Sequence, residues 1–530
     1  MLIRAASYDR LTRAFSWDLP PDLNMAVQAC EAWADSDPER TAIIDMTDGE
    51  RFNVSYGVLD HLADRLAIHL DGLGVGIGDR VAVFRGQSVW TAAAHIAIWK
   101  IGAISIPLFP LFGADALTSR LADSGAMAAI SDAKGAKVLS DLKNLIHLAH
   151  IIIPEETEYD QNAERFYSAQ TGPEDPACLI YTSGTTGAPK GVLHGHRVLT
   201  GHLPGVEISH DFLGQDLGQD GDCIWTPADW AWIGGLFDVL MTGLALGVPV
   251  VAARSDKFDP TAMQALVDQA GIRNVFLPPT ALRMIKAAGV SVTGLRSVAT
   301  GGEPLGAEMQ AWGQGAFGVV INEFYGQTEC NMIVSSCHAL FEPKPGAMGR
   351  AVPGHRVDVL DASGKPTKDE GDIAVHRGSA SMMLGYWNNP AETAAKFSGD
   401  WMITGDRGRR EGAYIRFVGR MDDVINSAGY RIGPSEIEDC LMQHAAVATV
   451  GVVGKPDDLR GEIVKAYVVL RPEFVAGDEL AAALQAHVKS RLSAHLYPRE
   501  VGFVGSLPMT VTGKIIRKEL KAQALAEGAT

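Results

Sequence analysis

Residues 182–191, Thr-Ser-Gly-Thr-Thr-Gly-Ala-Pro-Lys-Gly, set three glycines, four hydroxyl side chains and one lysine directly after the apolar run Ala177–Tyr181. Glycine lets a phosphate approach the backbone closely, successive N–H groups donate to its oxygens, and a lysine supplies the cation. An apolar strand feeding such a loop therefore predicts a cradle for the phosphates of a nucleotide. The common P-loop is excluded, because it needs Gly before the lysine and Ser or Thr after it, whereas Pro189 and Gly191 flank Lys190. Taken alone, a Gly/Ser/Thr run is an ordinary loop more often than a site.

Four further segments carry chemistry in the same direction: Tyr325-Gly-Gln-Thr-Glu329, Thr404-Gly-Asp406, Gly419-Arg-Met-Asp-Asp-Val-Ile425 running on to Gly429-Tyr-Arg431, and Pro508-Met-Thr-Val-Thr-Gly-Lys514. Each has a structural reading when isolated. A tyrosine belongs to a core, an aspartate after glycine to a turn, and single arginines and lysines to the solvated surface.

The elements that must position these segments follow from the hydrophobic pattern. Helical text at Leu59–Leu70 and Val89–Ile101 alternates with strand text at Arg80–Phe84, Ile104–Leu108 and Val248–Ala252, which predicts α/β layering. A second such stretch has a helix at Ala262–Gln269 and strands at Asn274–Leu277 and Val319–Glu323. From about Gly349 to Arg420 the pattern shortens into strand-and-turn text, such as Arg356–Leu360 and Gly371–Val375, predicting a distorted β-barrel. Gly72-Leu-Gly-Val-Gly-Ile-Gly78 follows a helix and precedes a strand. That order is the reverse of what dinucleotide binding needs, so it reads as a helix C-cap and turn.

In this order and at this spread the five segments resemble the adenylate-forming (AMP-binding) superfamily of acyl-CoA synthetases, peptide-synthetase adenylation domains and luciferases. The likeness runs from about Asp18 to Leu520. Tyr8-Asp9, Phe15-Ser-Trp-Asp-Leu-Pro20 and Ala228-Asp-Trp-Ala-Trp-Ile-Gly-Gly235 most resemble the AMP-forming synthetases of short- and medium-chain acids. The resemblance implies a large N-terminal domain, 1–420, of layered α/β subdomains plus the distorted barrel. A small mobile α+β C-terminal domain, 421–530, would carry the catalytic lysine.

It also implies roles. Thr182, Ser183, Gly184, Thr185, Thr186 and Lys190 would hold the β- and γ-phosphates of ATP. Gly302, Glu303, Pro304, Glu323, Tyr325 and Gly326 would form the adenine slot, with Tyr325 stacked on the base. Thr328 would touch the α-phosphate and Glu329 would ligate Mg²⁺. Asp406 would accept from the ribose hydroxyls, and Arg420 and Arg431 would contact ribose and phosphate. Lys514 would bridge carboxylate and α-phosphate, Asp422 would be the hinge, and Gly429 would leave a path for CoA. In acetate-specific relatives a tryptophan after the stacking aromatic closes the acyl pocket. Here Gly326 stands in that place, so the expectation is an open pocket walled by Trp230, Trp232 and Ile233. An enzyme loading a carrier-protein pantetheine would use the same motifs, and a non-catalytic nucleotide binder is disfavoured because Lys514 and Glu329 are both present.

Composition bounds the alternatives. The 530 residues exceed a single core, and a net charge of −17, from 46 basic and 63 acidic residues, argues against nucleic acid or an anionic membrane as partner. Small-molecule acid, ATP and CoA are the expected partners, with a homo-oligomer compatible. The six scattered cysteines form no C-x-x-C pair, which fits a reducing, cytoplasmic setting, or the mitochondrial matrix in a eukaryote. Met1–Arg13 resembles a presequence but reads as retained structure. Thr91–Phe112, nearly uncharged, contains Lys100 and two prolines and reads as a buried helix running into a strand rather than a membrane span.

Overall fold

The computed structural model describes residues 2–527 apart from 147, 160–163, 183–188, 216–220, 254–257, 421–422, 428–429, 458–459, 493–495 and 511–513, and describes the backbone alone at 143–146, 426, 430, 431 and 436. Two large sheets carry the N-terminal part. In one, the order is Gly385–Tyr386, Lys190–Gly195, Pro176–Thr182, Ile104–Pro107, Arg80–Phe84, Ala128–Ser131 and His150–Ile152. Its inner strands are parallel, with Val81 opposite both Ser105 and Ala128. They are runs of small and β-branched residues buried on both faces, as a sheet covered by helices on each side requires.

The helices Tyr56–Gly72 and Val89–Lys100 cover this sheet, and Ser55 and Ser88 cap them by accepting from Val58 N and Thr91 N. In the second helix every residue but Trp90 is buried, so it is apolar all round because protein surrounds it. Lys100 at its end is fully enclosed, with Nζ 2.8 Å from Glu31 Oε1, 2.7 Å from Asp60 Oδ1 and 2.5 Å from Asp64 Oδ1. This cage is what lets a lysine close an otherwise apolar helix. Among the described residues no helix is long and apolar enough to cross a membrane. The expected turn follows the first helix, where Gly74 and Gly78 take φ of +83° and +78°.

The other large sheet runs Arg350–Ala351, Cys330–Ser335, Ile321–Gln327, Ser297–Gly301, Asn274–Phe276, Ile224–Trp225, Val250–Ala252, Thr41–Asp45 and Phe52–Ser55. The strand expected at Val319–Glu323 extends to Gln327, because Phe324 and Tyr325 pair with Ser335 and Val334, and the register slips between Tyr325 and Gln327. The main core, with Tyr56, Trp99, Trp230 and Phe237 wholly enclosed, joins the two sheets. Each such side chain contributes about 1.5–3 kcal/mol or more by leaving water. Leu2, Tyr8 and Leu11 join a smaller core with Phe212, Phe341 and Tyr414.

The distorted barrel is a curled half-barrel of antiparallel strands, Val357–Leu360, Gly371–His376, Trp401–Glu411, Phe397–Ser398 and Tyr414–Arg420. Among the described residues beyond Val424, the strands Ile425–Ser427, Tyr430–Ile432, Val447–Asp457, Gly461–Leu470 and Glu500–Phe503 pair only with one another. With the helices Pro434–Met442, Asp478–Arg491 and Arg517–Ala526 they make a separate α+β unit around Ile437, Val452, Val468 and Leu484.

Candidate active site

In open α/β sheets the crevice beyond the carboxyl ends of the strands is where ligands settle. Three elements meet at one such crevice. Strand Ser297–Gly301 runs into the turn Gly302–Pro304, strand Ile321–Gln327 ends at Thr328 and Glu329, and the long half-barrel strand brings Asp406 alongside. Gly302 has φ +94°, a conformation that disfavours a side chain, and a Cβ there would lie 3.9 Å from Lys514 Cε. The lysine of the C-terminal unit thus lies directly over the Gly302 turn. Its backbone is fixed by a reciprocal pair, Lys514 N donating to Thr510 Oγ1 at 3.0 Å and Thr510 N to Lys514 O at 2.7 Å. The cleft stays open to solvent at both Gly302 and Lys514, yet protein on its walls desolvates the amine and lowers its pKa, against the pull of Glu303 and Asp406.

Tyr325, Gln327 and Asp406 form one network. The phenol donates to Asp406 Oδ2 at 2.6 Å, and Gln327 Nε2 donates to the same oxygen at 2.7 Å and to Thr404 O at 2.9 Å. Burial raises the Asp406 pKa, opposed by the Tyr325 bond, Arg420 and the Gln327 bond. Arg420 stands opposite Asp406 in strand register. Among the described residues no hydrogen bond reaches Asp406 Oδ1, which leaves one carboxylate oxygen for a diol.

Two residues on from Gln327, Glu329 Oε1 accepts from the Tyr386 hydroxyl at 2.6 Å, with Lys396 Nζ 3.9 Å away. Strand Lys190–Gly195 pairs with Pro176–Thr182 so that Thr182 and Lys190 face each other at the two ends of the glycine-rich loop. Lys190 Nζ bonds Glu392 Oε2 at 2.7 Å and lies 5.5 Å above the Tyr386 ring. Tyr386 therefore couples the loop lysine to the carboxylate. Thr328 is half-buried between Gln327 and Glu329.

Two residues expected around an adenine slot have structural partners instead. Glu303 bonds Arg283 Nη2 at 2.6 Å, and Glu323 turns inward, accepting from Leu305 N at 3.2 Å to hold the turn that follows Pro304. Burial, moderated by that bond, raises the Glu323 carboxyl from 4.5 to about 8. Between those values the folded protein holds a proton that the unfolded chain has lost, so stability falls as pH rises from about 4.5 to 8. Glu323→Gln keeps the acceptor and removes the ionisation, and denaturation midpoints measured across this window should lose that slope.

The acyl wall also differs from expectation. Trp230 is 1% exposed within the main core, whereas Trp232 stays half-buried, its ring 5.5 Å from Phe109 and 6.2 Å from Phe112, beside half-buried Ile233. Gly326 does not face open space, since a Cβ there would lie 2.5 Å from Asn331 Oδ1 and 2.5 Å from Met332 N. The neighbouring strand fills the place that a larger residue would take, so Gly326→Trp would displace the strand pairing rather than simply plug a pocket.

Ser183, Gly184, Thr185, Thr186, Asp422 and Gly429 lie outside the described residues, and Arg431 is described in its backbone alone, opposite Asn426. Sequence reasoning missed Tyr386, Lys396, Gln327 and Glu392. The run Gly385-Tyr-Trp-Asn-Asn-Pro390 is the one signal that could have drawn attention to Tyr386; nothing local tied it to Glu329.

A family model described as AMP-binding enzyme matches residues 30–387, and one described as AMP-binding enzyme C-terminal domain matches residues 436–514. The chain belongs to the AMP-binding enzyme family. Among relatives, acetyl-coenzyme A synthetase of Bacillus subtilis (strain 168) is 34% identical over 471 residues, covering 84% of this chain and 81% of that protein. Acyl-coenzyme A synthetase ACSM4, mitochondrial, of Homo sapiens is 32% identical over 541 residues, covering 95% and 91%. The crystal structure of an acyl-CoA synthetase from Brucella canis superposes with a TM-score of 0.74 at 32% identity, covering 99% of this chain and 100% of that one. That of the anthranilate CoA ligase AuaEII, in complex with anthranoyl-AMP, gives 0.85 at 25% identity, covering 97% and 99%.

Proposed function

We infer that the protein is an acid–thiol ligase that joins a short- to medium-chain carboxylic acid to the α-phosphate of ATP, releasing pyrophosphate, and passes the acyl group to CoA, releasing AMP. The observation that carries this reading is Lys514 seated over the Gly302 turn beside Glu303 and Asp406. A carboxylate and a phosphate repel each other, and charge grows on the α-phosphate as they join. A site for this step must position two anions and supply fixed positive charge.

The residues divide that work. Lys190 and the glycine-rich loop hold the terminal phosphates, Asp406 Oδ1 takes the ribose, Tyr325 stacks on the base, and Lys514 stabilises the charge at phosphorus. Glu329 fits Mg²⁺, which binds through one or two carboxylates together with nucleotide phosphates, and the ion would neutralise phosphate charge when bound. Once the adenylate exists, the C-terminal unit must turn about Asp422 to withdraw Lys514 and admit the thiol past Gly429. The domain boundary then falls at 420/421. Six free, buried cysteines support a reducing, cytoplasmic setting.

The test is AMP formation from a panel of carboxylic acids with and without CoA. Pyrophosphate release without CoA, and stoichiometric AMP and thioester with it, is the expected result; AMP formed without any acid dependence would overturn it. Tyr386→Phe removes the donor that orients Glu329. Loss of such an outer partner costs roughly 10–100-fold in metal affinity, so the half-saturating Mg²⁺ concentration should rise by about tenfold while the KM for the acid stays within twofold or so.

A further inference from the structure

We propose that the acid-binding end of this cleft is closed by a buried hydrogen-bonding pair, Asp238 and Asn331, and that the preferred acid carries a hydroxyl group that the pair binds. This rests on the ligase reading above and concerns which acid it takes.

Asp238 belongs to the helical turn Leu236–Leu240, directly after the Ala228–Gly235 segment, and is 3% exposed. Asn331 follows Glu329 by two residues and is 4% exposed. Asn331 Nδ2 donates to Asp238 Oδ1 at 2.7 Å. His202, from helix Arg197–Ser209, places Nε2 3.9 Å from the same oxygen, and its Nδ1 is 2.7 Å from Val198 O. The proton therefore sits on Nδ1, and the buried Nε2 is left without a hydrogen-bond partner. Among the described residues no hydrogen bond reaches Asp238 Oδ2 or Asn331 Oδ1 either. Buried polar groups are normally satisfied, so a buried, unpartnered His202 Nε2 beside two oxygens that no protein donor reaches needs an explanation.

The cluster lies directly behind two half-buried glycines, Gly326 and Gly234. A Cβ on Gly326 would lie 2.5 Å from Asn331 Oδ1, and one on Gly234 would lie 3.4 Å from Asp238 Oδ2 and 3.1 Å from the Phe276 ring. Phe276 in turn sits 5.2 Å from Phe324. The side chains around the cluster are otherwise aromatic, with Phe237 5.2 Å from the His202 ring. Burial raises the pKa of the Asp238 carboxyl, against the Asn331 bond, and lowers that of His202 to about 4, and both shifts favour the uncharged forms. In those forms the cluster offers one O–H donor and two acceptors, Asn331 Oδ1 and His202 Nε2. A hydroxyl both accepts and donates and matches this set. An unsubstituted chain leaves the polar atoms unpaired, and a second carboxylate would find no cation among Asp238, Asn331 and a neutral His202.

The test measures kcat/KM by pyrophosphate release for matched pairs on the full chain: butyrate against 3- and 4-hydroxybutyrate, and benzoate against its three monohydroxy isomers. In the wild type at least one hydroxylated acid should exceed its parent by about tenfold or more, since sites built around a substrate hydroxyl reject the analogue lacking it. In Asp238→Leu and in Asn331→Val that ratio should fall to about one or below, while Asp238→Asn should retain part of it. A ratio within one enzyme preparation does not depend on how much of it is folded, and where Asp238→Leu yields no folded protein Asn331→Val decides. Parents used as well as every hydroxylated acid, or a preference unmoved in both variants, overturns this proposal alone. Failure of every acid, parent and hydroxylated, overturns the ligase reading and this proposal with it.

Discussion

Replacing Lys514 by alanine is expected to slow acyl-adenylate formation by roughly 10²–10³, the loss typical of removing a single donor from developing oxyanion charge. The same variant should convert pre-made acyl-AMP and CoA to thioester at close to the wild-type rate. The asymmetry follows from where the lysine is carried. It belongs to the α+β unit, whose described strands pair only among themselves, and it reaches the Gly302 turn from outside the large sheets. Its own backbone anchor, Thr510, is in the same unit, so the ammonium can leave without disturbing Tyr325, Asp406 or Glu329. The acyl phosphate anhydride is reactive enough for a thiol of pKa about 8.5 to attack with little further help. The two half-reactions, run separately, decide the matter. Equal losses in both would mean that Lys514 serves one shared geometry, and the turning of the C-terminal unit would fail as an explanation.

The residues that such an experiment addresses stand out in the sequence because the phosphate and ribose chemistry proposed for them restricts residue types at short range. The glycine-rich loop, the Tyr325–Glu329 segment, Asp406 and Lys514 each sit in a run whose order points the same way. The strand Arg80–Phe84 and the helix from Val89 were legible for a different reason, the local period of their apolar residues. What was not legible is pairing across the fold. Tyr386 meets Glu329 from 57 residues away, and Asn331 meets Asp238 from 93; no local period encodes either distance. Gly326 shows the limit most directly. A missing side chain in one strand predicts open space only if the neighbouring strand leaves it empty, and here Asn331 occupies it. A glycine in the sequence therefore does not by itself predict an open acyl pocket.

The largest expected effect on stability comes from Lys100→Met, at a site with no part in the chemistry. Lys100 is fully enclosed, and its ammonium is shared by Glu31, Asp60 and Asp64, with Arg165 Nη2 3.6 Å from Asp60 Oδ2 as a second cation. Burial alone would lower the amine's pKa, but the three carboxylates outweigh it and hold the pKa above its ordinary value. Methionine fills the same volume and leaves those carboxylates without their main partner. Removing one member of a buried ion cluster costs about 3–5 kcal/mol, a large share of the roughly 5–15 kcal/mol that holds a native domain. The sign of the pH dependence follows. In the variant the carboxylates can stay buried only by taking up protons, so the folded state binds more protons than the unfolded one and its stability falls as pH rises. The deficit against wild type should therefore be greatest near neutral pH and shrink on acidification toward the ordinary carboxylate range, about 4. Adding Asp60→Asn and Asp64→Asn to Lys100→Met removes most of the uncompensated charge and should recover part of the loss at pH 7. Thermal midpoints of the three proteins at two pH values measure all of this. A Lys100→Met protein as stable as wild type at neutral pH would mean that the carboxylates are already protonated around the lysine, and the ion cage would not be what holds the end of this buried helix beside strand Ile104–Pro107.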